Sequence, residues 1–261
     1  MAIIVVLKDQ EALAAAAADR VTSLIEASIA GRQAARLCLS GGRTPRRLYE
    51  LLADNARPWR ARIDWTCVHV FWSDERQVPP DHPESNFGMA HRALLAHVPI
   101  PSAQVHRMRG ELPDAADAAR EYAAVLSGHL PFDVLLLGLG EDAHIASIFP
   151  GSVLPNGSGA SLVRLAHANP TGFAPQDERV AAVWVEHLHA WRITLTPPAL
   201  LDARAIVVLV SGASKAAAVS AALDGPEDVR RWPAQLLRAA GDRVEWLMDS
   251  AAARSHDAPP A

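Results

Sequence analysis

The chain has 261 residues, of which 50% are hydrophobic and 21% are charged, and its formal net charge at pH 7 is −4. This composition is that of a folded globular protein and excludes disordered and collagen-like chains. The slight acidic excess argues against nucleic acid or an anionic membrane surface as partner and favours a small molecule.

The two cysteines and the lengths of the apolar runs bear on the cellular compartment of the protein. Cys38 and Cys67 lie in apolar runs, cannot form a disulfide framework, and are predicted to be small buried hydrophobes in a reducing compartment. The first apolar run is too short for a signal sequence, and no stretch approaches the ~18 apolar residues of a membrane span. We therefore expect a cytoplasmic protein.

Short runs rich in β-branched residues alternate with longer helical patterns. The predicted strands are Ile3–Leu7, Leu37–Leu39, Val68–Phe71, Val134–Leu137, Val180–Val185, Ile206–Val210 and Val244–Leu247. A first helix is predicted around the alanine tract Ala14–Ala18, where Leu13, Val21 and Ile25 share one face. Several strands are apolar at successive positions, as in parallel strands covered on both faces. The pattern predicts a three-layer, Rossmann-like α/β fold with a mostly parallel sheet flanked by helices.

The chain is predicted to be one domain, residues 1–250, because no internal repeat is visible. The most linker-like segments, Pro155–Gly159 and Asn169–Gln176, are short enough to be surface excursions. Residues 251–261 are small, polar and proline-rich, which predicts a flexible C-terminal tail.

Ligands of such sheets bind outside the carboxyl ends of the strands, so the residues that follow each strand are informative. After Leu39 the chain reads SGGRTP, in which Ser40, Gly41, Gly42 and Thr44 precede a predicted helix. Free backbone N–H groups at such a helix start can bind an anion. The alternative interpretation is a tight strand-to-helix turn without a ligand.

The segment after Leu137, GLGEDAH, superficially matches a dinucleotide-binding fingerprint. The acidic residue that should follow about 20 positions later is missing, since residues 143–176 contain no Asp or Glu, so we predict no nicotinamide cofactor. Asp142 and His144 are instead the ingredients of a carboxylate-oriented imidazole that takes a proton from water. An incidental surface histidine is the alternative.

A dense charge cluster, Asp74, Glu75 and Arg76, follows the strand that ends at Phe71. It is either part of a site or a solvated face. Ser85 and Asn86, further on, are predicted to cap a helix.

Two cations stand at the edges of apolar segments in the last third of the chain. Arg192 in WRITLT and Lys215 in SGASK suit a phosphate, although either could be an ordinary surface residue. His187 and His189 would share a face if they lay on a strand, but no third metal ligand stands at a convincing spacing. We therefore favour a structural role for both and predict no metal site.

Taken in order, SGGRTP, SDERQVPPDHPESN, LLLGLGEDAHIASIFPGS, RITLT and SGASK resemble the 6-phosphogluconolactonase family. The resemblance spans roughly Leu37 to Leu247 and implies the fold of the glucosamine-6-phosphate deaminases. It also implies hydrolysis of 6-phospho-D-glucono-1,5-lactone to 6-phospho-D-gluconate, in the oxidative pentose phosphate pathway, without metal or cofactor. His144 would be the catalytic base and Asp142 its partner, while Arg76 would line the lactone site.

The remaining roles follow from the chemistry. Arg76 and the backbone around Gly41 and Gly42 are candidates to stabilise the oxyanion, and Ser40, Thr44, Arg192 and Lys215 to bind the phosphate. Two other functions stay open. One is an amino-sugar-phosphate deaminase or isomerase in which Asp74 is the base, and the other is a non-catalytic sugar-phosphate sensor.

The chain departs from the family pattern at two positions. Ala143 replaces the glycine before the histidine, and His189 replaces a proline. We expect a negative φ at Ala143, because alanine adopts it without strain.

Overall fold

The structure, a computed structural model, describes residues 1–152 and 179–253. The predicted surface excursions at 155–159 and 169–176 lie outside the described residues. The strands are, in chain order, β1 (Ile3–Leu7), β2 (Ala35–Leu39), β3 (Val68–Trp72), β4 (Asp74–Arg76), β5 (Val134–Gly138), β6 (Val180–Val185), β7 (Ala190–Leu195), β8 (Ile206–Val210) and β9 (Val244–Asp249). The α-helices are α1 (Gln10–Arg32), α2 (Arg43–Ala53), α3 (Pro58–Arg62), α4 (Asn86–Ala90), α5 (Ala115–Leu126), α6 (Pro197–Leu201), α7 (Ala216–Leu223) and α8 (Ser250–Ala253). Within these described ranges, no helix has the length and apolarity to cross a membrane.

The main sheet has six strands in the order β1-β9-β8-β5-β2-β3, and all its pairings are parallel. The predicted mostly parallel α/β sheet is thus confirmed. The strand order reverses between β2 and β5, since the chain moves outward from β2 to β3 and later returns to place β5 on the other side of β2. Such a switch point leaves a crevice at the carboxyl ends of the two strands, where α/β proteins bind their ligands.

Successive side chains of the central strands point to opposite faces, and each face is covered. In β5, Val134 and Leu136 belong to the core shared with α1 and α2, whereas Leu135 and Leu137 belong to the core shared with α5. All four are fully buried. This two-sided burial is why β5 reads as an uninterrupted apolar run.

A second sheet stands over the carboxyl end of the first. It contains β4, β7 and β6 in that order, and both pairings are antiparallel. β4 and β7 were not predicted, and β6, although predicted as a strand, pairs here and not in the parallel sheet. The β6–β7 turn contains His187, in a short 3₁₀ helix, and His189, whose φ is 45°. Neither histidine is on a strand, and both are exposed.

Two predictions about burial need correction. Cys38 is buried as predicted, but Cys67 is partly exposed, and both are free thiols. The predicted start of the flexible tail, residue 251, lies too early in the chain. Ala252 and Ala253 belong to α8 and are fully buried against the core. Apolar contacts of the small alanine side chains keep this segment on the domain. The rest of the predicted tail, residues 254–261, lies outside the described residues.

Candidate active site

The predicted site residues converge on one cleft at the carboxyl ends of β2, β5 and β8. Its inner half is lined by the Ser40–Thr44 loop, Asp74, Arg76, His144 and Lys215. An adjoining outer half shares Arg76, His144 and Lys215 with the inner half and adds Asp142 and Arg192. The segments that follow separate strands in the sequence therefore form one site.

The loop after β2 delivers the start of α2 to the inner half. Gly42 has φ +103°, a conformation that favours glycine, and its carbonyl accepts the N–H of Arg46 at 3.1 Å. Earlier N–H groups of a helix have no acceptor within the helix, so this end can bind an anion. The Tyr49 hydroxyl fixes the loop, since it accepts the N–H of Ser40 at 3.0 Å and donates to its carbonyl at 2.8 Å.

Gly41 is required for a close approach to Asn86. A Cβ at Gly41 would lie 2.0 Å from the Asn86 side-chain oxygen. The Asn86 amide donates to the carbonyl of Asp74 at 2.9 Å and to its Oδ1 at 3.2 Å. Asp74 Oδ2 accepts the Ser147 hydroxyl at 2.6 Å, and the residue is only 6% exposed. Asp74 thus joins three segments of the site through bonds to both carboxylate oxygens.

Glu75 organises the start of α4. Burial raises the pKa of this carboxyl, and the backbone N–H groups that it accepts oppose the rise. Its oxygens accept four donors, namely the N–H groups of Arg76, Asn86 and Phe87 and the hydroxyl of Ser85. Ser85 caps α4 as predicted, and its hydroxyl accepts the N–H of Gly88 at 3.0 Å. The charge cluster after β3 is therefore largely internal framework and not a solvated face.

The proposed base and its partner lie in the loop after β5. Asp142 Oδ1 is 2.6 Å from His144 Nδ1 and also accepts the His144 N–H at 3.2 Å. Burial raises the pKa of Asp142, but the hydrogen bond and charge of His144 outweigh it and hold the pKa below its usual value. The ionised carboxylate orients the imidazole and leaves Nε2 for a proton transfer.

The turn around the pair brings the two side chains together and constrains the residues between them. The Gly140 N–H donates to the His144 carbonyl at 2.9 Å, and a Cβ at Gly140 would lie 2.1 Å from His144 Nδ1. Ala143 has φ +61° and is fully buried. The expected negative φ was wrong: the tight turn, in which the Ala143 N–H donates to the Gly140 carbonyl at 3.1 Å, holds this alanine in the left-handed conformation.

Four cations line the cleft, and no carboxylate within 4 Å pairs with any of them in the described part of the chain. They are Arg43, Arg76, Arg192 and Lys215. Burial, together with the charge of Arg76, lowers the pKa of Arg192. An anionic ligand would supply the charge that the protein does not.

The loop of Lys215 is held by a residue that the sequence analysis did not identify. Asp249, at the end of β9, accepts the Ser211 hydroxyl at 2.6 Å and the Gly212 N–H at 3.0 Å. It also accepts the N–H of Ala252, in the first turn of α8. Asn86 and Arg43 were likewise assigned no role in the site. The sequence signals for these roles are weak, because the contacts join segments far apart in the chain. They are Gly41, which leaves space for the Asn86 side chain, and the aspartate that ends the last strand.

Comparison with known proteins identifies the family. Residues 8–246 match the family model described as glucosamine-6-phosphate isomerases/6-phosphogluconolactonase. The chain is 37% identical over 241 residues to the 6-phosphogluconolactonase of Synechocystis sp., with 89% of each chain covered. The structure of the Trypanosoma brucei 6-phosphogluconolactonase superposes with a TM-score of 0.78 at 30% identity, covering 97% of this chain and 98% of the other.

A more distant match concerns the fold alone. A monomeric glucosamine-6-phosphate deaminase superposes with a TM-score of 0.76 at 23% identity, covering 97% of this chain and 99% of the other. The implied fold is thus confirmed. Because the family model matches residues 8–246, most of this chain, the chain belongs to the glucosamine-6-phosphate isomerase/6-phosphogluconolactonase family.

Proposed function

We propose that this protein hydrolyses 6-phospho-D-glucono-1,5-lactone to 6-phospho-D-gluconate. The observation that carries the proposal is the Asp142–His144 pair, with its 2.6 Å contact, in a cleft whose cations have no carboxylate partner among residues 1–152 and 179–253. A base that activates water and a site for a phosphate are the two things that this reaction needs. The 6-phosphogluconolactonase relatives supply the identity of the lactone.

His144 is the general base. Its Nε2 takes a proton from a water molecule as the water oxygen attacks the lactone carbonyl carbon. Asp142 accepts a hydrogen bond from the Nδ1–H group of His144 and stabilises the imidazolium that forms. The tetrahedral intermediate then collapses, the ring C–O bond breaks, and the proton passes from His144 to the departing ring oxygen. The net change is addition of one water molecule, with no metal or cofactor involved.

Negative charge develops on the carbonyl oxygen during the attack. Arg76 lines both halves of the cleft beside His144 and is our candidate to stabilise this oxyanion, with the backbone of Gly41 and Gly42 as a second source of donors. Donors that are already in place stabilise the developing charge without a cost of reorganisation.

The phosphate is bound at the cationic end of the cleft. Ser40 and Thr44 lie at the start of α2, Lys215 lines both halves, and Arg192 approaches from β7. Binding of the remote phosphate fixes the lactone against the attacking water, so that binding energy is used for orientation. We place the reaction in the oxidative pentose phosphate pathway of the cytoplasm.

The deaminase alternative requires a free carboxylate base at Asp74. Both oxygens of Asp74 instead accept internal donors, from Asn86 and Ser147, which suits a framework residue better. A sensor without catalysis would have no use for the oriented Asp142–His144 pair.

The direct test offers freshly generated 6-phosphogluconolactone to the purified full chain and follows acid release above the spontaneous rate. Glucosamine 6-phosphate is assayed in parallel for ammonia. We expect acid release that depends on enzyme concentration and no ammonia. Ammonia release would favour the deaminase, and lactone binding without turnover would favour the sensor.

A further inference from the structure

Three histidines that take no part in the proposed reaction meet at the opposite end of β3. His69, His106 and His129 are each partly buried, and one ring nitrogen from each lies within 4.8 Å of the other two. His69 Nδ1 and His106 Nε2 are 3.0 Å apart. No other such cluster of metal-ligating side chains occurs in the ranges 1–152 and 179–253.

The fold fixes the three rings from three separate segments. His69 is the second residue of β3, on the face that also carries Phe71. His106 runs alongside β3, where its N–H donates to the Val70 carbonyl at 2.8 Å. His129 follows α5, and its ring packs against His106 with centroids 4.7 Å apart. The segments between them are hydrogen-bonded or packed, so the cluster is part of the folded state.

The chemistry of the cluster suits a divalent transition metal. Burial, with the charges of His129 and His69, lowers the pKa of His106 to about 4, and burial likewise lowers the pKa of His69 and His129. A lowered pKa favours the neutral imidazole, which is the form that binds a metal ion. The positive charge of Arg36 contributes to the lowered pKa of His69 and of His129.

We propose that His69, His106 and His129 form a three-histidine site for a zinc-class divalent ion. In a tetrahedral site with Zn–N bonds of about 2.1 Å the nitrogen atoms lie about 3.4 Å apart. This separation falls between the 3.0 Å that joins His69 Nδ1 to His106 Nε2 and the 4.8 Å within which all three nitrogens lie. The metal replaces the His69–His106 hydrogen bond, and the fourth position is open to water. The three ligands meet near the start of β3, while the catalytic cleft lies at the carboxyl end of the sheet.

The test titrates Zn²⁺ into the untagged, metal-stripped full chain against a chromophoric chelator. We expect one equivalent to bind, and the His106→Ala variant to lose at least about 100-fold in affinity, because loss of a ligand costs no less than loss of an outer-shell partner. His97→Ala, at an exposed histidine outside the cluster, is the matched control and should bind normally. Co²⁺ should give the visible absorption of a tetrahedral site in the wild type and in the control.

His144→Ala separates this site from the catalytic cleft, because Asp142 and His144 could themselves hold an ion. Zn²⁺ binding that persists in His144→Ala and is lost in His106→Ala supports the proposal. Binding that is unaffected in His106→Ala, or that disappears in His144→Ala, overturns it. Circular dichroism reports on the folding of every variant, and lactone hydrolysis reports on it only for the variants outside the catalytic cleft. His129→Gln provides the same comparison if His106→Ala does not fold.

Discussion

Arg76 and Arg192 face each other directly across β4 and β7, as partners in the antiparallel register. Like charges in this arrangement repel, and such pairs are usually unfavourable. The Arg76 guanidinium donates to the Glu84 carbonyl, which offers no full negative charge. An anion bound between or beside the two guanidinium groups would offset this repulsion, which supports the proposed binding of the substrate phosphate by Arg192.

Replacement of His144 by alanine tests the general base. We expect kcat to fall by about 10²- to 10⁴-fold, because the attacking water loses its proton acceptor, while ligands that carry a phosphate still bind. Steady-state kinetics with freshly prepared lactone measure the change, and His97→Ala is the control. Turnover close to that of the wild type would remove His144 from the mechanism.

Truncation of Lys215 or Arg192 tests the phosphate site. Each variant should lose far more activity with the phosphorylated lactone than with unphosphorylated gluconolactone, since a charge-assisted contact contributes about 1.5–3 kcal/mol, or tenfold and more. Kinetics with the two substrates give the comparison. The chain contains only one other lysine, the exposed Lys8, so Lys8→Ala is a matched control for Lys215→Ala. Equal losses on both substrates would argue against the assignment.

The left-handed backbone of Ala143 makes its replacement by glycine a test of stored strain. A Cβ in this conformation destabilises the folded state by about 1–2 kcal/mol. Glycine in its place stabilises the unfolded chain by about 0.4–1 kcal/mol, because it gives that chain more conformational entropy. We therefore expect Ala143→Gly to raise the thermal midpoint slightly. Ala124→Gly, at an exposed position in α5, should instead lower it. A lower midpoint for Ala143→Gly would show that the buried methyl contributes more than the strain costs.

The depressed pKa of His106 predicts a specific loss of stability in mild acid. Its ordinary value is 6.5 and its folded value is about 4, so between these pH values the unfolded chain binds a proton that the folded chain does not. Stability from this residue is full above about pH 6.5 and falls as the pH decreases towards 4. His106→Phe retains the stacking on Phe71, whose ring centroid lies 4.6 Å away, and removes the titration.

Denaturant unfolding at pH 7 and at pH 5 provides the measurement, in metal-free buffer. The difference in unfolding free energy between the two pH values should be smaller for His106→Phe than for the wild type. The same pH dependence in both proteins would show that His106 titrates normally.

The sequence by itself determined the parallel sheet and the segments that line the cleft at the carboxyl ends of its strands. Strands such as Val134–Leu137 can be recognised as continuous apolar runs because both of their faces are buried. The polar segments that follow parallel strands meet at the carboxyl ends of those strands. Asp142 and His144 are two residues apart, so one turn places them together. Such local relationships can be inferred without a structure.

Only the tertiary structure decided the contacts between distant segments. The three-residue strand β4 is too short to show a periodic pattern, and it exists because β7 pairs with it. Asn86 donates a hydrogen bond to Asp74, which lies 12 residues before it in the chain. Asp249 accepts a hydrogen bond from Gly212 in the Lys215 loop, across 37 residues. The φ of Ala143 is set by the turn around it and not by its own preference. The histidine cluster likewise joins residues 69, 106 and 129, which no local spacing connects, because packing of the folded chain alone brings them together.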